Sequence, residues 1–223
     1  MTKKTMSLVA VLLLVLSLGL LPAAAETEEN TIYVNIANAG KLEAAMEPIA
    51  LADADGDGAL TVNDALILIH DAKYEGGAAA GFATADSQYG PMITKLWGVE
   101  NGGSYGYYVN NTMSMGLTDP VAAGDVVYAF VYADAAGFSD AYSYFDKSQA
   151  EIADGEELTL TLSKADGFDA NYAPIYKPLE GAVITVDGIA TQFVTDAEGK
   201  AVIKLESGSH IVSATAGETL LVP

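Results

Sequence analysis

Residues 53–64, with the sequence DADGDGALTVND, restrict the fold of this 223-residue chain more than any other segment. Asp53, Asp55 and Asp57 occupy the first, third and fifth positions of a twelve-residue pattern, and Gly58 occupies the sixth, where the backbone must turn sharply. Carboxylates this close repel one another, and a divalent cation removes that repulsion. The spacing therefore predicts a calcium-binding loop, and an acidic surface turn without an ion is the alternative.

The later positions of the loop complete a predicted coordination sphere of the EF-hand type. Ala59 offers a backbone carbonyl at the seventh position, Thr61 a hydroxyl or a bridging water at the ninth, and Asp64 a carboxylate at the twelfth. Calcium takes six to eight oxygen ligands at about 2.3–2.6 Å, which is the kind of ligand this loop supplies. The predicted metal ligands are Asp53, Asp55, Asp57, Ala59, Thr61 and Asp64.

A helix is predicted directly after this loop, over residues 62–74, and none is predicted before it. Apolar residues recur at helical spacing after the loop, so that Leu66 and Ile69 should pack on an N-terminal sheet. Upstream, Pro48 interrupts the pattern and residues 49–52 favour a strand. A loop that ends in Asp and has a helix only after it resembles one repeat of the dockerin domains, which carry two such loops. That resemblance implies a calcium ion and, as an alternative function, docking to a cohesin partner in an extracellular polysaccharide-degrading assembly.

Residues 1–25 have the features of a secretory signal peptide. A lysine-containing start precedes an apolar run at residues 8–21, and the alanines at 23–25 form a small-residue cleavage site. The apolar run is short for a membrane span of about 20 residues, so we predict cleavage, with an uncleaved membrane anchor as the alternative. The mature chain is then expected to begin near Glu26 and to be extracellular or held at the cell surface.

The charge and residue usage of the chain limit its partners. It has 30 Asp and Glu against 10 Lys and Arg, a formal net charge of −20, and no Arg at all. Such a surface repels nucleic acid and anionic membranes, and it lacks the bidentate guanidinium groups that bind phosphate. The absence of Cys excludes disulfides, so an exported bacterial protein of this kind needs a core and an ion instead. The expected partners are calcium and an extracellular protein or carbohydrate, with no nucleic acid and no membrane span in the mature chain.

Residues 26–146 predict a small α+β domain around the calcium loop. The predicted strands cover residues 31–36, 41–46, 105–109 and 126–132. Residues 78–90 are expected to be a small, flexible connector, and residues 133–146 a polar, aromatic one. An aromatic strand ending in Val-Asn, followed by Gly-Asp-Val before the last strand, is similar to the transcobalamin C-terminal-like domain (DUF4430) over residues 31–133. The resemblance implies a β-grasp-like fold and, as a further alternative function, corrinoid binding.

Residues 147–223 predict a β-sandwich, so that the whole chain is mainly β with a small α+β N-terminal domain. The predicted strands cover residues 158–162, 182–186, 191–195, 200–205 and 210–214. The segments GAVITV, TDAEGKA and GSHIVSA within residues 178–215 are similar to the carboxypeptidase-regulatory-like domain, an Ig-like, transthyretin-related fold. That resemblance implies a spacer or adhesive module, which we expect to unfold independently of the ion. The chain ends without a wall-sorting motif or membrane tail, so a C-terminal truncation is expected.

Four aromatic residues form a candidate ligand platform for a sugar ring or an apolar patch on a partner protein. They are Trp97, Tyr105, Tyr107 and Tyr108. On a strand, Tyr105 and Tyr107 should point to one face and Tyr108 to the other, with one face packed on the predicted helix. Ordinary strand packing, with hydroxyls at the rim, is the alternative.

We find no catalytic constellation in the sequence. Ser104 lies in a G-x-S-x-G pattern, but a nucleophile elbow needs a helix after the serine, and a strand is predicted there. His70 and His210 are the two histidines of the chain, and His70 is expected to be a packed or capping side chain rather than a metal ligand. The sequence therefore predicts a secreted, calcium-binding, non-catalytic cell-surface or adhesion-like module.

Overall fold

The computed structural model describes residues 30–153, 155–170, 173–217 and 219–222, so the predicted signal peptide at residues 1–25 lies outside the described residues. Strands dominate the described chain, and the predicted mainly β class is confirmed. The helices are α1 (Val62–Lys73) and α2 (Gly77–Gly81). The strands are β1 (Thr31–Asn38), β2 (Lys41–Ala50), β3 (Ala83–Ser87), β4 (Gly90–Lys95), β5 (Tyr105–Val109), β6 (Thr112–Met113), β7 (Val126–Val131), β8 (Ala141–Phe145), β9 (Glu157–Phe168), β10 (Pro174–Pro178), β11 (Val183–Val186), β12 (Ile189–Val194), β13 (Lys200–Lys204), β14 (Val212–Thr215) and β15 (Leu221–Val222).

Five strands form the first sheet in the order β2-β1-β7-β5-β6. The central pair, β1 and β7, is parallel, and the other pairs are antiparallel. All four strands predicted in this part of the chain are confirmed, with the same first residues and with last residues that differ by at most four. β2 continues through Pro48 because it is an edge strand, where a missing backbone N–H leaves no ladder bond unmade.

Helix α1 packs on one face of this sheet, as its apolar periodicity predicts. It begins after the N-cap Thr61, and its buried side chains, Leu66 and Ile69 among them, join a core with Ile32 and Val34 of β1. Burying a side chain of this size stabilises the fold by about 1.5–3 kcal/mol. The predicted helix over residues 62–74 is confirmed, with Tyr74 as its C-cap.

The expectation that residues 78–90 are a flexible connector is wrong. This segment forms most of α2 and then β3, which pairs with β4 in an antiparallel hairpin. The carboxylate of Asp71 accepts the Ala78 N–H at 2.7 Å at the start of α2. A Cβ atom at Gly81 would collide with the ring of Tyr74, so the small residues that make the segment look flexible are what lets α2 pack closely on α1.

The remaining strands form two further sheets that share a core. One has the order β10-β9-β8-β15 with β13 also paired to β9, and the other has the order β12-β11-β14. Leu160 of β9, Ile184 of β11 and Ile203 of β13 lie in the core between them. The predicted boundary after residue 146 falls directly after β8, and β8 itself pairs with β9 and β15 beyond that boundary.

The face of the first sheet opposite α1 is covered by aromatic residues of β8 and β10. We call this contact the tyrosine interface; it comprises Tyr108, Tyr128, Phe130, Tyr142 and Tyr176. The rings of Tyr108 and Tyr142 stack with centroids 3.7 Å apart and planes inclined by 2°. The Tyr142 hydroxyl donates to Asn111 Oδ1 at 2.9 Å, and the Tyr176 hydroxyl donates to the Asn111 carbonyl at 2.5 Å. Residues 133–146, expected to be a connector, therefore supply a strand to a packed contact.

Within the described part of the chain, neither helix has the length and apolar character needed to cross a membrane.

Candidate metal centre

The side chains of Asp53, Asp55 and Asp57 converge in the exposed loop between β2 and α1. One carboxylate oxygen from each lies within 4.8 Å of the others. Two oxygens bound to the same calcium ion at about 2.4 Å are at most about 4.8 Å apart, so these three can all contact one ion. All three residues are exposed to solvent, which leaves room for water ligands. We call this group the aspartate triad.

Backbone N–H groups of the loop hold the triad in this arrangement. The Asp53 carboxylate accepts the N–H of Gly56 at 2.7 Å and the N–H of Gly58 at 3.0 Å, and Asp57 accepts the Ala59 N–H at 2.8 Å. Gly58 has a φ of 89°, in the left-handed region where a side chain is strained. The loop thus turns back on itself, as the sixth position of the calcium pattern requires.

Asp64 does not join the triad. It is 0% exposed, and each of its oxygens already accepts hydrogen bonds. Its Oδ1 accepts the N–H groups of Ala54 at 2.7 Å and Asp55 at 3.3 Å, while its Oδ2 accepts the N–H and hydroxyl of Thr61 at 2.9 and 2.8 Å. Thr61 and Asp64 form a capping box that ties the end of the loop to α1. The sequence contains the signal for this box, Thr-x-x-Asp before an apolar run.

The other predicted ligands lie beside the triad in different roles. Ala59 is exposed next to Asp57, and Thr61 is buried with its hydroxyl directed to Asp64. Asn63, which the calcium pattern does not assign, donates from Nδ2 to Asp55 Oδ2 at 2.8 Å. Its Oδ1 is buried and has no hydrogen-bond partner among the described residues. Asn63 therefore contacts the triad through its amide nitrogen and helps to orient Asp55.

A distant segment anchors the point where the loop enters α1. Val62 donates to the carbonyl of Asp119 at 3.0 Å, and Asn63 donates to that of Leu117 at 2.9 Å. Val121 donates in turn to the carbonyl of Leu60 at 3.0 Å. These bonds fix the first turn of α1 and with it the exit of the loop. Sequence reasoning missed them because their partners are more than 50 residues apart and no local pattern marks the pairing.

The four residues of the predicted ligand platform do not share a surface. Tyr105 and Tyr107 pack into the core on the α1 side of the sheet, whereas Tyr108 is 4% exposed and belongs to the tyrosine interface. The predicted alternation along β5 is therefore confirmed. Trp97 is half-buried against His70, with ring centroids 5.0 Å apart.

The remaining candidates for chemistry lie apart from one another. The Ser104 hydroxyl donates to the Ala135 carbonyl at 2.9 Å, and β5 follows it as predicted. His70 is 0% exposed, so the prediction of a packed side chain is confirmed. His210 contacts Asp187 Oδ2 at 2.8 Å, and this hydrogen bond raises the pKa of His210 and lowers that of the Asp187 carboxyl. No hydrogen bond in the described part of the chain joins Ser104 to either imidazole ring.

The donor set of the centre determines which ions it suits. The oxygens that converge are carboxylate oxygens, which are ligands for hard cations rather than for zinc or copper. Calcium tolerates irregular geometry and six to eight ligands, whereas magnesium requires a near-ideal octahedron, so the exposed, one-sided triad suits calcium better. No family model, no curated protein and no solved structure matches this chain.

Proposed function

We propose that this chain is a secreted, non-catalytic cell-surface or adhesion-like module in which one calcium ion stabilises the loop at residues 53–64. The observation that carries the proposal is the convergence of three aspartate oxygens within 4.8 Å. The aspartate triad would hold the ion directly, and Asn63 orients Asp55 through its Nδ2. The ion would cancel the repulsion among three carboxylates in a chain whose net charge is −20.

The architecture supports a binding or spacer module. A five-stranded sheet with a parallel central pair and α1 on one face supports the β-grasp-like assignment of residues 31–133. The two later sheets with a common core support the sandwich assignment. The isolation of Ser104, His70 and His210 from one another favours a role without catalysis. Export rests on the signal-peptide pattern at residues 1–25.

Calorimetry of the purified protein in calcium and in chelator tests the proposal. An ion that binds only the folded state stabilises it by RT ln(1 + [Ca]/Kd), which is about 2.7 kcal/mol at a calcium concentration of 100 Kd. A Kd near 10 μM, in the range of EF-hand sensors, would give this effect at about 1 mM calcium. We therefore expect a higher melting temperature in calcium than in chelator.

Single substitutions locate the ion. Asp53→Ala and Asp57→Ala should each remove most of the calcium-dependent rise in melting temperature, because each deletes a ligand. Asp134→Ala is the matched control, since Asp134 also accepts hydrogen bonds within an exposed turn but lies outside the loop. Equal melting in calcium and chelator, with no heat of binding on titration, would leave residues 53–64 as an acidic turn and refute the proposal.

A further inference from the structure

His70 is fully buried, and both of its ring nitrogens have defined partners. Its Nε2 lies 3.0 Å from the backbone nitrogen of Trp97, and its Nδ1 lies 2.6 Å from the carbonyl oxygen of Leu66. A backbone N–H can only donate, so Nε2 is the acceptor and Nδ1 carries the proton. The structure therefore requires the neutral ring in a single tautomer, which links α1 to the segment at residues 77–100.

The side chains that pack on the ring are aromatic and carry no formal negative charge. The ring stacks on Phe82 at a centroid distance of 5.2 Å and lies 5.0 Å from the Trp97 ring and 6.0 Å from the Tyr74 ring. Residues of α2 carry no ionisable side chain. Burial lowers the pKa of His70, and this effect exceeds the opposing effects of its hydrogen bond to Leu66 and of the Asp71 carboxylate.

Asp71 is the charged residue that acts on the ring electrostatically, and its carboxylate already has a partner of its own. Asp71 follows His70 on α1, and its Oδ1 accepts the Ala78 N–H at 2.7 Å. At the end of β4, the Lys95 ammonium group lies 3.4 Å from the Glu100 carboxylate. Tyr74, the C-cap of α1, presents a phenol rather than a carboxylate to the ring.

We propose that His70 is an acid-sensitive latch that holds residues 77–100 against α1. A proton added to Nε2 would place an N–H group against the N–H group of Trp97, so the hydrogen bond between them must break. The imidazolium would also lie among Phe82, Trp97 and Tyr74 without a carboxylate partner, which favours conformations in which water reaches the ring. Protonation therefore releases α2 and the β3–β4 hairpin from α1, while the rest of the chain stays folded.

The direction of the pH dependence follows from the lowered pKa. A released or unfolded His70 takes up its proton near pH 6.5, whereas the docked ring takes it up only at lower pH. Docking is therefore fully favoured above pH 6.5 and weakens as the pH falls towards the pKa of the docked ring. Within that window the docking equilibrium constant falls by up to tenfold for each pH unit.

Trp97 is the only tryptophan in the chain and touches the latch, so its fluorescence reports the state of His70. We expect the emission of the full-length protein to change between pH 7.5 and pH 5, with a midpoint below 6.5, at constant calcium and with unchanged far-UV circular dichroism. His70→Gln places an amide oxygen near the position of Nε2 and cannot titrate, so it should abolish the change. His210→Asn removes the other histidine and should leave the change intact.

Two results would overturn the latch. One is an emission that stays constant across this pH range in the wild-type protein; the other is the same change in His70→Gln. If His70→Gln fails to fold, hydrogen exchange of the wild-type protein decides the question. After correction for intrinsic rates, amides of residues 77–100 must exchange faster at pH 5 than at pH 7, while amides of β8 and β9 must not, and uniform exchange refutes the proposal.

Discussion

The two faces of the first sheet are built by opposite means. The face toward α1 is mainly aliphatic and is covered by a helix that follows β2 after a loop of eleven residues. The opposite face is aromatic and is covered by strands that come from later parts of the chain. Strand β7 contributes side chains to both faces. Val127, Ala129 and Val131 belong to the core under α1. Tyr128 and Phe130 belong to the tyrosine interface.

The difference shows why the two faces carry different side chains. A helix packs on small and branched residues, and the backbone groups in its middle are hydrogen-bonded within the helix, so that face needs few polar groups. At the tyrosine interface the aromatic rings supply buried area, and the hydroxyls of Tyr142 and Tyr176 bond to the β5–β6 turn at Asn111. Burial accordingly raises the pKa of Tyr128 to about 12 and that of Tyr142 well above 10. Such a contact predicts that the sandwich unfolds together with the first sheet, rather than independently as its sequence suggests.

The largest expected loss of stability comes from removing the Tyr142 ring at the centre of the tyrosine interface. Tyr142 is 2% exposed and stacks on Tyr108, so Tyr142→Ala deletes the stack, the hydroxyl bond and the volume of one ring. We expect the free energy of unfolding to fall by about 3–5 kcal/mol, as for other buried aromatic truncations. Urea denaturation followed by circular dichroism measures this loss.

Calorimetry of the same variant shows whether the interface couples the two regions. The wild-type protein should unfold in one transition, and Tyr142→Ala should unfold in two, of which only the first responds to calcium. Leu66→Ala is the matched control on the α1 face, where a loss of about 2–5 kcal/mol is expected without any separation of the transitions. Two transitions already present in the wild-type protein would contradict the coupling.

The sequence predicts the α1 face well because the information is local. Helical periodicity in α1 and alternation in β1 each lie within one short window. The tyrosine interface is not predictable in this way, since β8 is only five residues long and Tyr142 meets a ring 34 positions earlier in the chain. The metal centre is predicted from the sequence only in part. Its triad follows from spacing alone, but Asp64 fits both a calcium ligand and a capping box, and only the folded geometry shows that the capping box forms.

A smaller loss of stability is expected from a side chain added at Gly106, where the tyrosine interface leaves no space for one. Gly106 on β5 lies directly beneath the Phe130 ring, and a Cβ atom at this position would overlap that ring. Gly106→Ala should therefore destabilise the fold by about 1–3 kcal/mol through overpacking. The measurement is again urea denaturation at neutral pH.

A second substitution tests the steric cause. Phe130→Leu in the Gly106→Ala background frees space above the strand and should restore part of the lost stability relative to the sum of the two single changes. Gly116→Ala is the control, because a Cβ atom there meets only ordinary van der Waals neighbours. Strict additivity of Gly106→Ala and Phe130→Leu would show that the strand, rather than the ring, sets the requirement for glycine.

The smallest effect separates the hydroxyl groups of the interface from its rings. Tyr142→Phe keeps the stack on Tyr108 but removes the donor to Asn111 Oδ1, so we expect a loss of about 0.5–1.5 kcal/mol. Asn111→Gly removes the acceptor and tolerates the positive φ of 62° at this turn. In a double-mutant cycle the two changes should therefore couple, whereas Tyr176→Phe should not couple with Asn111→Gly, because Tyr176 bonds to the backbone carbonyl that glycine retains. Equal coupling in both cycles would mean that Asn111→Gly alters the turn itself, and the side-chain bond to Tyr142 would then contribute nothing specific.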